Sequence, residues 1–214
     1  LASEGSRPRL PWGMRLQKFV RDPKPVLAIL DILKEDPELF VRRSVANNLN
    51  DIAKDHPDLV VATLRRWKKV RNPGTRWLVK HALRTLLKQG HPEALELLGY
   101  PRNVEVRISS LLVAPARIRV GDVVTIQFDV RSSAKTAQAL MIDYIVHHVK
   151  ANGRTSPKVF KLTTRRLKPG ESARIEKRHS FRPIGIRPYY PGTHAIEIQV
   201  NGQSRGRATF ELTQ

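Results

Sequence analysis

Along residues 41–54, VRRSVANNLNDIAK, apolar side chains return with the 100° step of an α-helix. Val41, Val45, Leu49 and Ile52 fall in one arc, with Arg42, Ala46 and Ala53 continuing round its edge. The polar positions are ordered as well. Ser44, Asn48, Asp51 and Asp55 line a second face, and Arg43, Asn47, Asn50 and Lys54 a third. A helix of this kind is either solvated over its polar back or built to hold something. Residues 24–34 set Leu27, Leu30 and Leu33 on one side, and residues 58–70 do the same with Val60, Thr63, Leu64, Trp67 and Val70, so both read as packing helices. His56-Pro57 and His91-Pro92 punctuate the pattern. Each proline suits the first position of the next helix, and each histidine reads as a turn residue.

A shift of 37 positions lays VRRSVANNL (residues 41–49) over LVKHALRTL (residues 78–86). The shared pattern is apolar, any, basic, any, two small or apolar residues, any, any, Leu. A period near 37 belongs with helical-hairpin repeats, whose helix pairs bury their faces only by stacking on neighbours.

Near Gly99-Tyr100-Pro101 the period drops from helical to two. Short β-rich runs follow at 104–109, 117–120, 123–130, 139–149, 158–164, 173–181, 193–200 and 208–212. Asn152-Gly153, Lys168-Pro169-Gly170, Pro191-Gly192 and Asn201-Gly202 supply the turns. The expected architecture is α then β: helical repeats over residues 1–100, then an antiparallel sandwich of immunoglobulin type over 101–214. The Cys…Trp…Cys signature of antibody domains is absent, so the expectation concerns architecture alone.

Charge narrows the class of partner. Lys and Arg number 39 against 19 acidic residues, a formal +20 that suits a polyanion. Residues 1–101 carry 19 basic and 11 acidic side chains, leaving +8 there and +12 beyond, so the charge is spread over both halves as a phosphate-tracking surface requires. There is no cysteine, which excludes disulfides, thiolate zinc sites and a Cys nucleophile and fits a reducing, intracellular setting. No apolar run reaches bilayer-spanning length and no secretory pattern opens the chain, so a soluble protein without membrane contact is expected. The start at Leu1 inside a polar segment reads as an N-terminal truncation.

Four ordered segments carry a resemblance: SEGSRPRLPW (3–12), VRRSVANNLNDIAKDHP (41–57), TRWLVKHALRTLLKQG (75–90) and HSFRPIGIRPYYPGTHAIEIQVNG (179–202). Together they resemble the HEAT-like-repeat alkylpurine DNA glycosylases, most closely the AlkC-type branch with its immunoglobulin-like C-terminal domain. The resemblance implies a HEAT-like solenoid before the sandwich, further repeats upstream, and removal of N-alkylated bases such as 3-methyladenine and 3-methylcytosine from double-stranded DNA. It also implies a monomer of bacterial type in the cytoplasm, associated with the nucleoid, and no metal or organic cofactor.

Breaking an N-glycosidic bond to a cationic base leaves an electron-poor sugar, which a carboxylate near C1′ stabilises. Asp51 is the first candidate, because it lies off the apolar arc and matches the Asp of the family's NLND motif. Glu4 and Trp12 match the Glu and the closing aromatic of its SEG-RPRLPW motif. Their implied roles are a second lesion-facing carboxylate and an aromatic wall. By themselves, Glu4 reads as a surface acid and Trp12 as core or a packing lid.

Arg7, Arg9, Arg42, Arg43, Asn48 and Lys80 are the candidate DNA contacts of the helical part, where cations hold phosphates without reading sequence. Arg43 and Lys80 share a repeat position. Arg65, Arg66, Lys68, Lys69 and Arg71 form either an edge patch or a solvated face, and Trp77 reads as core. In the second part Arg182, Arg187, Tyr189 and Tyr190 lie in FRPIGIRPYYPG, which either contacts DNA or pins the sandwich through a tyrosine corner. His147 and His148 point to opposite faces of a strand and so do not share a metal. Three functions stay open: a glycosylase, an inert binder of damaged DNA, and a HEAT and immunoglobulin-like adaptor for an acidic protein.

Overall fold

The computed structural model describes residues 2–69, 72–183 and 188–214. The chain forms two compact units, Leu1–Leu98 and Gly99–Gln214. Among the described residues the first unit holds α1 (Ala2–Gly5), α2 (Gln17–Arg21), α3 (Lys24–Leu33), α4 (Leu39–Ile52), α5 (Pro57–Trp67), α6 (Pro73–Ala82), α7 (Arg84–Lys88) and α8 (Pro92–Leu97). None of these is long and apolar enough to cross a membrane.

The helical period places the core where hydrophobicity demands it. Val45, Leu49 and Ile52 of α4 are fully buried with Leu30, Leu64, Leu78 and Leu95, and α4 packs on α1, α3 and α6. Residues related by the 37-residue shift, Val45 with Ala82, Ala46 with Leu83 and Leu49 with Leu86, are all buried. The second copy is interrupted, however: Leu83 closes α6 and opens α7. That break frees amide N–H groups, which a helix start cannot satisfy internally. Asn50 of α4 meets the need, its Oδ1 accepting the Thr85 N–H at 3.2 Å.

Prolines open α5, α6 and α8, as a residue without an N–H does best. Ahead of α6, the Asn72 side chain caps the helix by accepting the Gly74 N–H at 2.8 Å. A Cβ at Gly74 would lie 2.9 Å from Arg42 Nε, so the glycine leaves room for that side chain. His56 stands at a helix entry as expected, its Nε2 2.7 Å from the Val20 carbonyl oxygen.

The second unit contains β1 (Val106–Ala114), β2 (Arg117–Arg119), β3 (Val123–Ser132), β4 (Gln138–Val149), β5 (Thr155–Leu167), β6 (Ser172–Ser180), β7 (Gly192–Val200) and β8 (Gln203–Thr213). One sheet has the order β1-β3-β6 and the other β2-β8-β7-β4-β5. A single apolar cluster draws on both, with Val124, Ile126, Phe128 and Ile175 from the first and Leu140, Ile142, Tyr144, Ile196, Ile198 and Phe210 from the second. Along β3 strict alternation supplies these side chains. One pairing departs from the antiparallel expectation: β2 runs parallel to β8, because the chain switches sheets between β1 and β2 instead of reversing. Asn201-Gly202 turns β7 into β8 with both residues at positive φ, 46° and 79°, the backbone of a tight two-residue hairpin.

Candidate functional site

The second polar face of α4 is covered. Ser44, Asn48 and Asp51 are buried against the segment that runs from α1 to Arg7. Asn48 Nδ2 donates to the Ser3 carbonyl at 2.7 Å and to Ser6 Oγ at 3.3 Å, which fastens α1 on α4. Ser44 Oγ donates to Glu4 Oε2 at 2.7 Å and stands 3.1 Å from Ser3 Oγ. Arg7 then joins the two candidate carboxylates. Its Nη1 meets Glu4 Oε1 at 2.6 Å, while Nε and Nη2 reach Asp51 Oδ2 at 2.8 and 2.7 Å. Lys54 Nζ holds the other Asp51 oxygen at 2.9 Å.

The two carboxylates differ in access. The Glu4 side chain is 44% exposed and that of Asp51 4%, so Glu4 keeps an open flank whereas both Asp51 oxygens are spent on cations. Burial works against charge on Glu4, but the Ser44 hydroxyl and the Arg7 guanidinium outweigh it and hold the carboxyl below its ordinary value. Burial likewise opposes charge on Arg7, and its bonds to Glu4 and Asp51 reverse the balance and raise it. Glu4 is therefore a fixed, half-open anion. Among the described residues no group of three or more His, Cys, Asp or Glu side chains is arranged to hold a metal.

The remaining candidates are placed unevenly. Arg7 and Asn48, expected on a phosphate-facing surface, are buried because the polar face they belong to is covered by α1. Arg9 is paired with Asp55, Nε at 3.0 Å and Nη2 at 2.6 Å. Arg42 turns back to the Asp36 and Pro37 carbonyls at 2.6 and 2.7 Å. Arg43 and Lys80 are exposed. Trp12 is fully exposed, at a φ of 64° that a bulky residue seldom adopts. Arg182 is exposed after β6, and Arg187 lies outside the described residues, as does Arg71 of the basic run. Tyr189 packs on Phe181 with ring centroids 5.2 Å apart and against the core of the second unit.

Two features escaped the sequence reading. Trp77, read as core, is 36% exposed and stacks on His81 with centroids 4.9 Å apart. Arg84 joins the third face of α4, its Nη2 donating to Asn47 Oδ1 at 3.0 Å. A signal for Arg84 existed, since it is the repeat partner of Asn47, 37 positions on.

Residues 107–214 match the family described as uncharacterised protein YhaZ, C-terminal Ig-like domain. The chain belongs to this family. A curated relative, the uncharacterized protein YhaZ of Bacillus subtilis (strain 168), is 40% identical over 212 residues, which are 99% of this chain and 58% of the relative. Among solved structures, the Pseudomonas fluorescens alkylpurine DNA glycosylase AlkC bound to DNA containing an abasic site analog is 44% identical with a TM-score of 0.96. That match covers 99% of this chain and 59% of AlkC. The AlkC-type resemblance read from four motifs thus extends along the chain, which spans about three fifths of the length of these relatives.

Proposed function

We propose that the chain acts on alkylated double-stranded DNA as a glycosylase, hydrolysing the N-glycosidic bond of N3-alkylated bases of the 3-methyladenine and 3-methylcytosine kind. In this reading α1 to α8 are HEAT-like repeats, and the two sheets form a sandwich of immunoglobulin type. The observation that carries the proposal is Glu4, a carboxylate held charged and half open by Arg7 and Ser44. Its support from similarity is the AlkC structure with its abasic-site DNA.

The chemistry fits an ionised carboxylate. An N3-alkylated base already carries positive charge, so it leaves without being protonated and asks for no general acid. What the transition state lacks is negative charge near C1′, where oxocarbenium character develops. Glu4 supplies that charge and accepts a hydrogen bond from the attacking water. Asp51 acts one step back: it fixes Arg7, and Arg7 fixes Glu4. Arg43, Lys80 and Arg182 are the exposed cations that take phosphates in this reading.

The test is release of the base from a duplex carrying one N3-methylated base, by the chain and by its Glu4→Gln and Asp51→Asn variants, with binding measured alongside. Glu4→Gln is expected to slow release about 10²- to 10³-fold while binding persists. Release by Glu4→Gln at the unsubstituted rate overturns the assignment of Glu4. Tight, salt-sensitive binding without release from the unsubstituted chain assigns a damage-binding module instead. Weak, salt-insensitive binding assigns an adaptor, because a phosphate-tracking surface loses affinity steeply as salt rises.

A further inference from the structure

We propose that Trp77 and His81 form a stacking platform for an unstacked nucleobase beside the carboxylate cluster; the inference rests on the reading of the partner as DNA. The two rings lie one helical turn apart on α6, 4.9 Å between centroids and within 10° of parallel. The imidazole therefore backs one face of the indole. Trp77 keeps 36% of its surface in water, although burying such a side chain is among the larger gains a fold can make. An exposed tryptophan held flat against a second ring is an arrangement that favours a third ring.

The surroundings suit a base within a phosphate backbone. Trp77, Lys80 and His81 follow the i, i+3, i+4 spacing that places side chains on one face of α6, and Arg84 opens α7 just past the break at Leu83. Burial, with Arg84 and Arg43 close by, lowers the pKa of His81 and keeps its ring neutral. The platform itself is therefore uncharged, while cations frame it. Arg84 links it to the carboxylates: it donates to the His81 carbonyl at 2.9 Å and to Asn47 Oδ1 at 3.0 Å. It also lies within the electrostatic reach of Asp51 and Arg7. A base resting on Trp77 would thus sit on the helix next to the one that carries Asp51. Stacking reads every base alike, which suits the unpaired base opposite a lost or weakened partner.

The experiment compares dissociation constants for an intact duplex and a duplex with one tetrahydrofuran abasic analogue, using the chain, Trp77→Ala and Trp77→Phe. Trp77→Ala is expected to weaken binding to the abasic duplex about ten- to a hundredfold, in line with one lost base stack. Intact duplex should change by no more than about twofold, with the slope of affinity against salt unaltered, since phosphate contacts are untouched. Trp77→Phe should recover most of the loss. In a Trp12→Phe background, tryptophan emission should be quenched by the abasic duplex and not by the intact one.

Equal losses on both duplexes, or Trp77→Phe no better than Trp77→Ala, overturn the platform in favour of a packing role. So does unaltered binding by Trp77→Ala. Should Trp77→Ala unfold, Trp77→Phe and the emission difference still decide, because both keep an aromatic ring on α6. No salt-sensitive binding of either duplex by the unsubstituted chain overturns the DNA reading and the platform with it.

Discussion

In the helical unit most of the buried polar side chains gather round α4, whereas in the sheet unit they are spread over several strands. Ser44, Asn48, Asn50 and Asp51 of α4 are all buried, with Arg7 laid across them, whereas β3 alternates buried apolar and more exposed polar positions along its length. The difference follows from geometry. A strand separates its two faces by 180°, so one face can be apolar and the other wet. A helix packed among others has neighbours on several sides, and a polar stripe turned toward one of them must be matched partner for partner. Such matching makes the helical unit sensitive to single losses of charge, and the sheet unit sensitive to changes that charge its interior.

The sharpest break of this comparison is Arg7→Ala. It leaves the buried Asp51 with Lys54 as its remaining ion-pair partner and Glu4 with only its hydroxyl donor. Removing one member of a buried ion pair costs about 3–5 kcal/mol. Urea unfolding followed by the helical circular dichroism signal should show that loss. A change near zero would mean that Arg7 is replaceable by solvent and that the network is decorative.

Acid is the corresponding probe of the sheet unit. His148, His179 and His194 cluster round Phe181, with ring centroids of 5.9, 5.0 and 5.7 Å. Burial, with His194, His179 and Lys158 adding repulsion, pushes His148 down to about 4; burial with Lys158 and Lys177 does the same to His179. Both are neutral in the fold and ordinary, near 6.5, once unfolded. The stability they support is therefore complete above pH 6.5 and falls as the pH drops toward 4, because the unfolded chain takes protons that the folded one refuses. The loss is roughly 3 kcal/mol per histidine, less than additive for coupled rings. Unfolding of the β signal at pH 7, 6, 5 and 4 checks it. Stability that stays flat, or that His148→Phe leaves as pH-dependent as before, would remove the histidines from the account.

The same contrast explains what the sequence made legible. Period-two alternation locates strands wherever one face is wet, and each run read between residues 104 and 212 overlaps a strand, reaching at most two residues past its ends. The ends of β5 did not show, because Arg165 and Arg166 carry the edge strand on without apolar signal. In the helical unit the apolar arc of α4 and the 37-residue repeat gave the core. They could not say what covers Ser44, Asn48 and Asp51, since the covering segment is some 40 residues away and too short to have a period. Arg7 accordingly read as a phosphate contact although its guanidinium is enclosed. Trp77 erred in the opposite direction: a tryptophan at a helical position reads as core, and nothing in one sequence marks the side of a repeat that stays open.

Two buried asparagines bring the comparison down to single hydrogen bonds. Asn201 in the sheet unit has three: its Oδ1 accepts the Met141 N–H at 2.7 Å, and Nδ2 donates to the Pro101 and Ala139 carbonyls at 2.7 and 3.1 Å. It also holds φ at 46°, which asparagine tolerates better than most residues. Asn201→Ala loses the bonds and strains the turn, at about 2–3 kcal/mol. Asn201→Gly keeps the turn and should lie between alanine and the natural residue. Asn50 in the helical unit accepts the Thr85 N–H at the break between α6 and α7, so Asn50→Ala should cost about 1 kcal/mol, the scale of a lost cap. Chemical unfolding of the three variants ranks them. If Asn50→Ala proves as costly as Asn201→Ala, the break at Leu83 depends on that one side chain, and the second repeat copy is held in shape by the first.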